Sequence, residues 1–162
     1  MMPEHQLADL LLPRSRWLAV AESCTGGLLA HRITNVPGSS RYFDRGLVTY
    51  SNRAKMELLG VPAALLERHG AVSAEVAAAM VEGLCRAAGV AAGVAVTGIA
   101  GPGGGSEAKP VGLVYLAVQV DGELAVARHQ FAGSRLEIKN RTADEALRLL
   151  VRRLRAGETM LA

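Results

Sequence analysis

The alternation of apolar and polar positions divides the chain into short strands and amphipathic helices. Leu7, Leu10 and Leu11 recur at helical spacing in residues 4–12, and Pro13 closes that segment. Trp17 to Ala21 is a continuous apolar run, the mark of a buried strand. A helical pattern predicts a second helix from Thr25 to Thr34. Gly46 to Tyr50 reads as a second strand, Arg53–Leu59 as a short helix capped by Ser51 or Asn52 and stopped by Gly60. Another short helix starts at Val61-Pro62 and ends before Gly70. Ser73 caps a longer helix with Val76, Met80 and Leu84 on one face. Val94 to Val96 is a third strand. Val111–Val120 and Glu123–Phe131 form a hairpin around Asp121-Gly122. A capping box, Ser134 to Glu137, opens the last helix, which presents Ile138, Thr142, Ala146, Leu149 and Leu150 to the core. Residues 156–162 are expected to be a frayed tail.

Strands alternating with helices, and a hairpin late in the chain, predict one α/β domain over residues 1–162. Its fold class is a three-layer α/β/α arrangement with a mixed sheet. In open sheets of this kind ligands bind at the carboxyl ends of the strands. Three polar or glycine-rich turns follow the first three strands: Ser23–Gly27, Ser51–Lys55 and Thr97–Ser106. They converge if those strands are parallel.

The chemistry these turns carry is that of a nucleophile and a base. Ser23 and Cys24 stand where a strand meets a helix, and helix N-termini favour negative charge. The N–H groups of Thr25 and Gly26 are then candidates for an oxyanion hole. The plainer reading makes Ser23 or Thr25 an N-cap and the glycines a tight turn. Lys55 falls in the first turn of its helix, where the dipole disfavours a cation. That lowers its affinity for a proton, as a neutral lysine base requires; the alternative is an ordinary exposed lysine. The glycine density of Gly101–Ser106 lets backbone approach a ligand, or makes a surface loop. It fits neither the P-loop nor the dinucleotide fingerprint.

Composition narrows the classes. The chain has 162 residues, half of them hydrophobic, and a net charge of +3, which suits a globular domain with its own core. Basic residues are scattered apart from Arg148, Arg152, Arg153 and Arg155, and aromatics are few. No direct nucleic-acid binding is therefore expected. No apolar run reaches the ~20 residues of a membrane span. No signal-peptide pattern opens the chain, and two cysteines, Cys24 and Cys85, make no disulfide framework. A cytoplasmic location and no membrane partner are expected. His5, His31, His69 and His129 stand alone, so no metal site is expected.

Four separated motifs occur in order: Ala21-Glu22-Ser23-Cys24-Thr25-Gly26-Gly27; Val48-Thr49-Tyr50-Ser51-Asn52 with Lys55; His69-Gly70-Ala71-Val72-Ser73; and Thr97-Gly98-Ile99-Ala100-Gly101-Pro102 with Lys109-Pro110-Val111-Gly112. Together they closely resemble the CinA C-terminal domain family, the bacterial nicotinamide-nucleotide amidohydrolases, from about Glu4 to Leu154. The resemblance implies a mixed, mostly parallel five-stranded sheet. It implies hydrolysis of the carboxamide of nicotinamide mononucleotide to nicotinate mononucleotide and ammonia, a step of pyridine-nucleotide salvage, with no cofactor. The family's serine–lysine pair maps to Ser23 and Lys55, with Tyr50 and Thr25 as supporting groups. Contacts to the nucleotide substrate are expected from Cys24, Gly26, Gly27, Thr97, Gly98, Gly101 and Gly103. The Gly101–Ser106 loop, Ser39, Ser40 and Arg41 are candidates for its phosphate. A homo-oligomer is expected. Two other readings stay open: Cys24 as the nucleophile, and a nucleotide- or partner-binding module without turnover.

Overall fold

The computed structural model describes residues 1–160. Five strands form one sheet in the order β2-β1-β3-β4-β5. They are β1 (Leu18–Glu22), β2 (Phe43–Val48), β3 (Ala92–Gly98), β4 (Leu113–Val120) and β5 (Glu123–Gln130). β1 pairs in parallel with β2 and β3; β4 runs antiparallel to both its neighbours. The sheet is therefore mixed and mostly parallel, within a three-layer α/β/α fold.

Side-chain size decides how the layers sit. Leu18 and Val20 of β1, Val94 and Val96 of β3, and Leu116 and Val118 of β4 point to one face. There they pack on α1 (Pro3–Leu11), α2 (Leu28–Thr34) and α6 (Arg135–Met160). The opposite face offers Ala19, Ala21, Ala95 and Ala117. These small residues let α5 (Ala74–Ala88) lie close, beside α3 (Asn52–Leu59) and α4 (Ala63–His69). α5 in turn meets α3 through Gly83, where a Cβ would stand 1.7 Å from the Leu59 carbonyl oxygen. Gly83→Ala is expected to force the two helices apart and to cost about 3 kcal/mol, the upper part of the range for overpacking; thermal unfolding measures it.

Local signals behave as their chemistry dictates. Ser51 Oγ accepts the Ala54 amide at the start of α3, and Gly60 ends that helix with φ 65°. Ser73 Oγ accepts the Val76 amide. Ser134 and Glu137 cap α6 reciprocally, at 2.7 and 3.3 Å. Asp121 and Gly122 both take positive φ, as a tight hairpin turn requires.

The largest boundary differences fall at four elements. α2 starts at Leu28, not Thr25, because Gly27 takes φ 105° and Gly26 φ 60°. β2 begins at Phe43 and stops at Val48, short of Thr49-Tyr50. β3 covers Ala92–Gly98 rather than three residues, since ladders to β1 and β4 hold alanines and glycines of low strand preference. α6 continues to Met160 where a frayed tail was expected from 156; Leu161 and Ala162 lie outside the described residues. Among the described residues no helix is long and apolar enough to cross a membrane.

Candidate active site

The parallel strands bring the carboxyl ends of β1 and β3 together, and β2 lies on the far side of β1. The chain leaves β1 toward β2 over one face and reaches β3 over the other, so a crevice opens between the two connections. A pocket of about 210 Å³ occupies it. Ser23 and Cys24 line it just past β1, Thr97, Gly98 and Ala100 at the end of β3 and just past it, and Tyr50, Asn52 and Lys55 from the approach to α3 and its first turn. Ala71 and Val72, ahead of α5, and Arg135, at the start of α6, complete it.

Lys55 is the decisive side chain. It is 1% exposed, because helical side chains lean back toward the N-terminus and this one crosses its own first turn to the strand ends. Its Nζ donates to Ser23 Oγ at 3.0 Å and to the Thr49 carbonyl at 2.8 Å. Burial lowers its pKa from the ordinary 10.5. Ser23 is itself 8% exposed, and its amide donates to the Val96 carbonyl, fixing it between β1 and β3.

The helix tip behind Ser23 already holds an anion. The Glu22 side chain, fully buried, accepts the amides of Gly27, Leu29 and Ala30. It also accepts the Thr25 hydroxyl at 2.7 Å. Thr25 therefore faces Glu22 and does not line the pocket. The N-terminus of α2 is closed to a substrate's negative charge. The Gly26 amide donates to the Ser23 carbonyl at 3.1 Å, so it is not the oxyanion donor expected from its position. Gly26 and Gly27 shape the turn from outside the pocket.

Cys24 lines the pocket but stays protonated. Burial, aided by the charge of Glu22, pushes its thiol up to about 12. A nucleophilic thiol needs the reverse. Cys24→Ala is expected to keep the rate of any Ser23-dependent turnover within about threefold, since the neutral thiol here acts as a small apolar filler; a tenfold or greater loss in a folded variant would return the nucleophile to Cys24.

Tyr50 reaches the pocket from a side chain 60% exposed, and its hydroxyl accepts from Arg135 at 2.9 Å rather than contacting the Ser23–Lys55 pair. Arg135 also donates to the Gly101 carbonyl at 2.7 Å. Among the described residues no carboxylate pairs with it. Arg135 was missed in the sequence because it reads there only as part of a capping box; nothing local says that α6 begins beside the ends of β1 and β3. Thr97 lines the pocket with its hydroxyl donated to the Ala71 carbonyl at 2.8 Å. Gly101 sits at the rim through its carbonyl. Gly103 is exposed, with open space where a Cβ would stand, and does not line the pocket.

Ser39, Ser40 and Arg41 lie elsewhere. They form a single 3₁₀ turn that precedes β2. In a parallel sheet the residues before a strand lie at its amino end, and a six-residue strand spans about 20 Å. The phosphate-binding role expected of them finds no support in their position. The C-terminal arginines are paired in part along α6, Arg148 with Asp144 and Arg152 with Glu145, each at 2.7 Å. Among the described residues no cluster of three or more His, Cys, Asp or Glu side chains could hold a metal ion. A larger groove of about 410 Å³ between α5 and the β4–β5 hairpin brings no hydroxyl near a base.

The sequence model of the CinA C-terminal domain matches residues 2–154. This chain belongs to the CinA C-terminal domain family. It is 56% identical over 148 residues to a CinA-like protein of Geobacter sulfurreducens, covering 91% of this chain and 36% of that protein. It is 53% identical over 150 residues to a CinA-like protein of Geotalea daltonii, covering 93% and 36%. The chain thus spans little more than a third of these curated relatives. Among solved structures, a competence damage-inducible protein of Klebsiella pneumoniae superposes with a TM-score of 0.90 at 35% identity, covering 94% of both chains. A competence/damage inducible protein of Agrobacterium tumefaciens gives 0.90 at 42% identity, covering 92% of both.

Proposed function

We propose that this CinA-family domain is an amidohydrolase that removes ammonia from the carboxamide of nicotinamide mononucleotide, with Ser23 as nucleophile and Lys55 as base. The observation that carries the reading is the buried Lys55 amine 3.0 Å from Ser23 Oγ, with its proton affinity lowered by burial. A neutral amine held by the Thr49 carbonyl turns its lone pair to the serine hydroxyl.

Lys55 takes the Ser23 proton as Oγ bonds to the carboxamide carbon. The Gly26 amide is engaged elsewhere, which leaves the amide of Cys24, a residue that lines the pocket, for the oxyanion. The C–N bond then breaks, the amine nitrogen takes the proton from Lys55, and ammonia leaves an acyl ester on Ser23. Water attacks the ester, gives a proton to Lys55, and frees the carboxylate while Ser23 regains its proton. Arg135 suits the substrate's phosphate, being a guanidinium at the pocket rim with no carboxylate partner among the described residues.

The test is ammonia release by the purified chain from nicotinamide mononucleotide and, in parallel, from nicotinamide riboside. Release from the nucleotide, and much slower release from the riboside, which lacks the phosphate, is the expected result. Saturable binding of the nucleotide with no ammonia would overturn the reaction and leave a binding module.

A further inference from the structure

Glu22 is a fully buried carboxylate that no step above uses. Its Oε1 accepts the Thr25 hydroxyl at 2.7 Å, the Leu29 amide at 2.9 Å and the Gly27 amide at 3.2 Å. Its Oε2 accepts the Ala30 amide at 3.1 Å. Its main chain reaches the other half of the pair: the Glu22 carbonyl accepts the Thr49 amide at 2.8 Å, and the Thr49 carbonyl holds Lys55 Nζ. One residue thus touches both arms, the turn that carries Ser23 and the strand end that holds Lys55.

From this geometry we infer that Glu22, with Thr25 as its hydroxyl donor, is the positioning residue of the site. Its carboxylate clamps the Ser23–Gly27 turn onto the first turn of α2 and so sets where Ser23 Oγ stands relative to Lys55. A carboxylate suits this role because every group around it donates and the helix terminus favours an anion. An amide of the same shape can place its oxygen at the Oε1 position. Its NH₂ then confronts the Ala30 amide, donor against donor, and the turn must shift. Small displacements matter here, since a misplacement of about 1 Å costs on the order of a hundredfold in rate. The inference rests on the Ser23–Lys55 reading of the site, but not on the identity of the substrate.

The experiment measures two things in Glu22→Gln, Thr25→Val and Thr25→Ser. One is kcat and KM for ammonia release from nicotinamide mononucleotide across pH. The other is the rate at which a fluorophosphonate labels Ser23, a readout of nucleophile presentation that needs no amide substrate. Thermal unfolding establishes the folded fraction, and all rates are taken per folded molecule. Glu22→Gln is expected to lose roughly a hundredfold in kcat and in labelling rate, with KM within twofold and the pH limb unmoved. Thr25→Val is expected to lose about tenfold in both, and Thr25→Ser, which restores the donor, to recover to within about twofold of wild type. A purely structural role would lower the folded fraction and leave rate per folded molecule intact, which would overturn the proposal.

Failure of serine to rescue at position 25 would overturn it too. So would a displaced pH limb, which would make Glu22 act through the charge of Lys55. If Glu22→Gln does not fold, the Thr25 pair decides. If the wild type is labelled at Ser23 but releases no ammonia, the reaction is misread and the labelling rates alone decide. A wild type that is neither labelled nor active overturns both readings.

Discussion

Ser23→Ala is expected to abolish ammonia release from nicotinamide mononucleotide, a loss of roughly ten-thousand- to million-fold, the range seen when a covalent nucleophile is removed from a working site. The substitution deletes one buried oxygen that accepts from Lys55 and leaves the backbone bond between the residue 23 amide and Val96 intact. The fold is expected to persist, because β1 stays paired on both sides along its length. Nucleotide binding is expected to persist as well, since the Arg135 guanidinium and the carbonyl and hydroxyl it holds are unaffected. Calorimetric titration of the variant with nicotinamide mononucleotide, beside an ammonia assay, separates the two effects. Turnover within tenfold of wild type in the folded variant would remove Ser23 from the chemistry.

Lys55→Met is expected to lose roughly 10²- to 10⁴-fold in kcat, the contribution of a positioned general base, while making the protein more stable. The second effect follows from the direction of the pKa shift. Burial holds the Lys55 proton affinity below the ordinary 10.5. Between the folded value and 10.5 the unfolded chain therefore binds more protons than the native one, and native stability rises with pH. Below the folded value the full cost of burying an ammonium is carried; toward 10.5 it is relieved. Methionine fills a similar volume without a charge. The gain, on the order of 1–2 kcal/mol, is the usual size when a strained functional residue is relaxed. It is expected to be greatest at low pH and to fade as pH approaches 10.5, which denaturant unfolding at several pH values measures. The wild-type kcat/KM should rise with pH along the same titration and level off below 10.5. A variant with neutral or reduced stability at pH 6 would show that the bonds from Lys55 to Ser23 and Thr49 outweigh its desolvation.

The sequence carried the candidate nucleophile and base because each has a local cause. Ser23 closes an apolar strand, and Lys55 sits four residues after the capping Ser51; strand and cap are both written in nearest neighbours. The convergence of three turns followed from one assumption, that the first three strands are parallel, and β1, β2 and β3 are. The misplacements share an origin in long-range geometry. Thr25 reads as a catalytic hydroxyl until the path of Glu22 is known, because the side chain that claims its proton comes three residues earlier and also reaches Ala30 eight residues on. Ser39, Ser40 and Arg41 have suitable chemistry, but they precede a strand instead of following one. Arg135 lies 112 residues after Ser23 in the chain, and only the packing of α6 against β3 and β4 brings it to the same pocket.

The sequence by itself determined the elements, their alternation, the caps and hairpin, the three turns that hold the site, and membership of a family through four ordered motifs. These are properties of short segments: hydrophobic period, turn chemistry and spacing act within about ten residues. Only the tertiary structure decided that the tip of α2 belongs to Glu22 and that Lys55 is buried against Ser23. It alone placed the cation at the pocket rim on α6. Burial and the pairing of distant groups depend on how the layers stack. The small residues on one face of the sheet and the large ones on the other set that stacking jointly, and no single segment contains it.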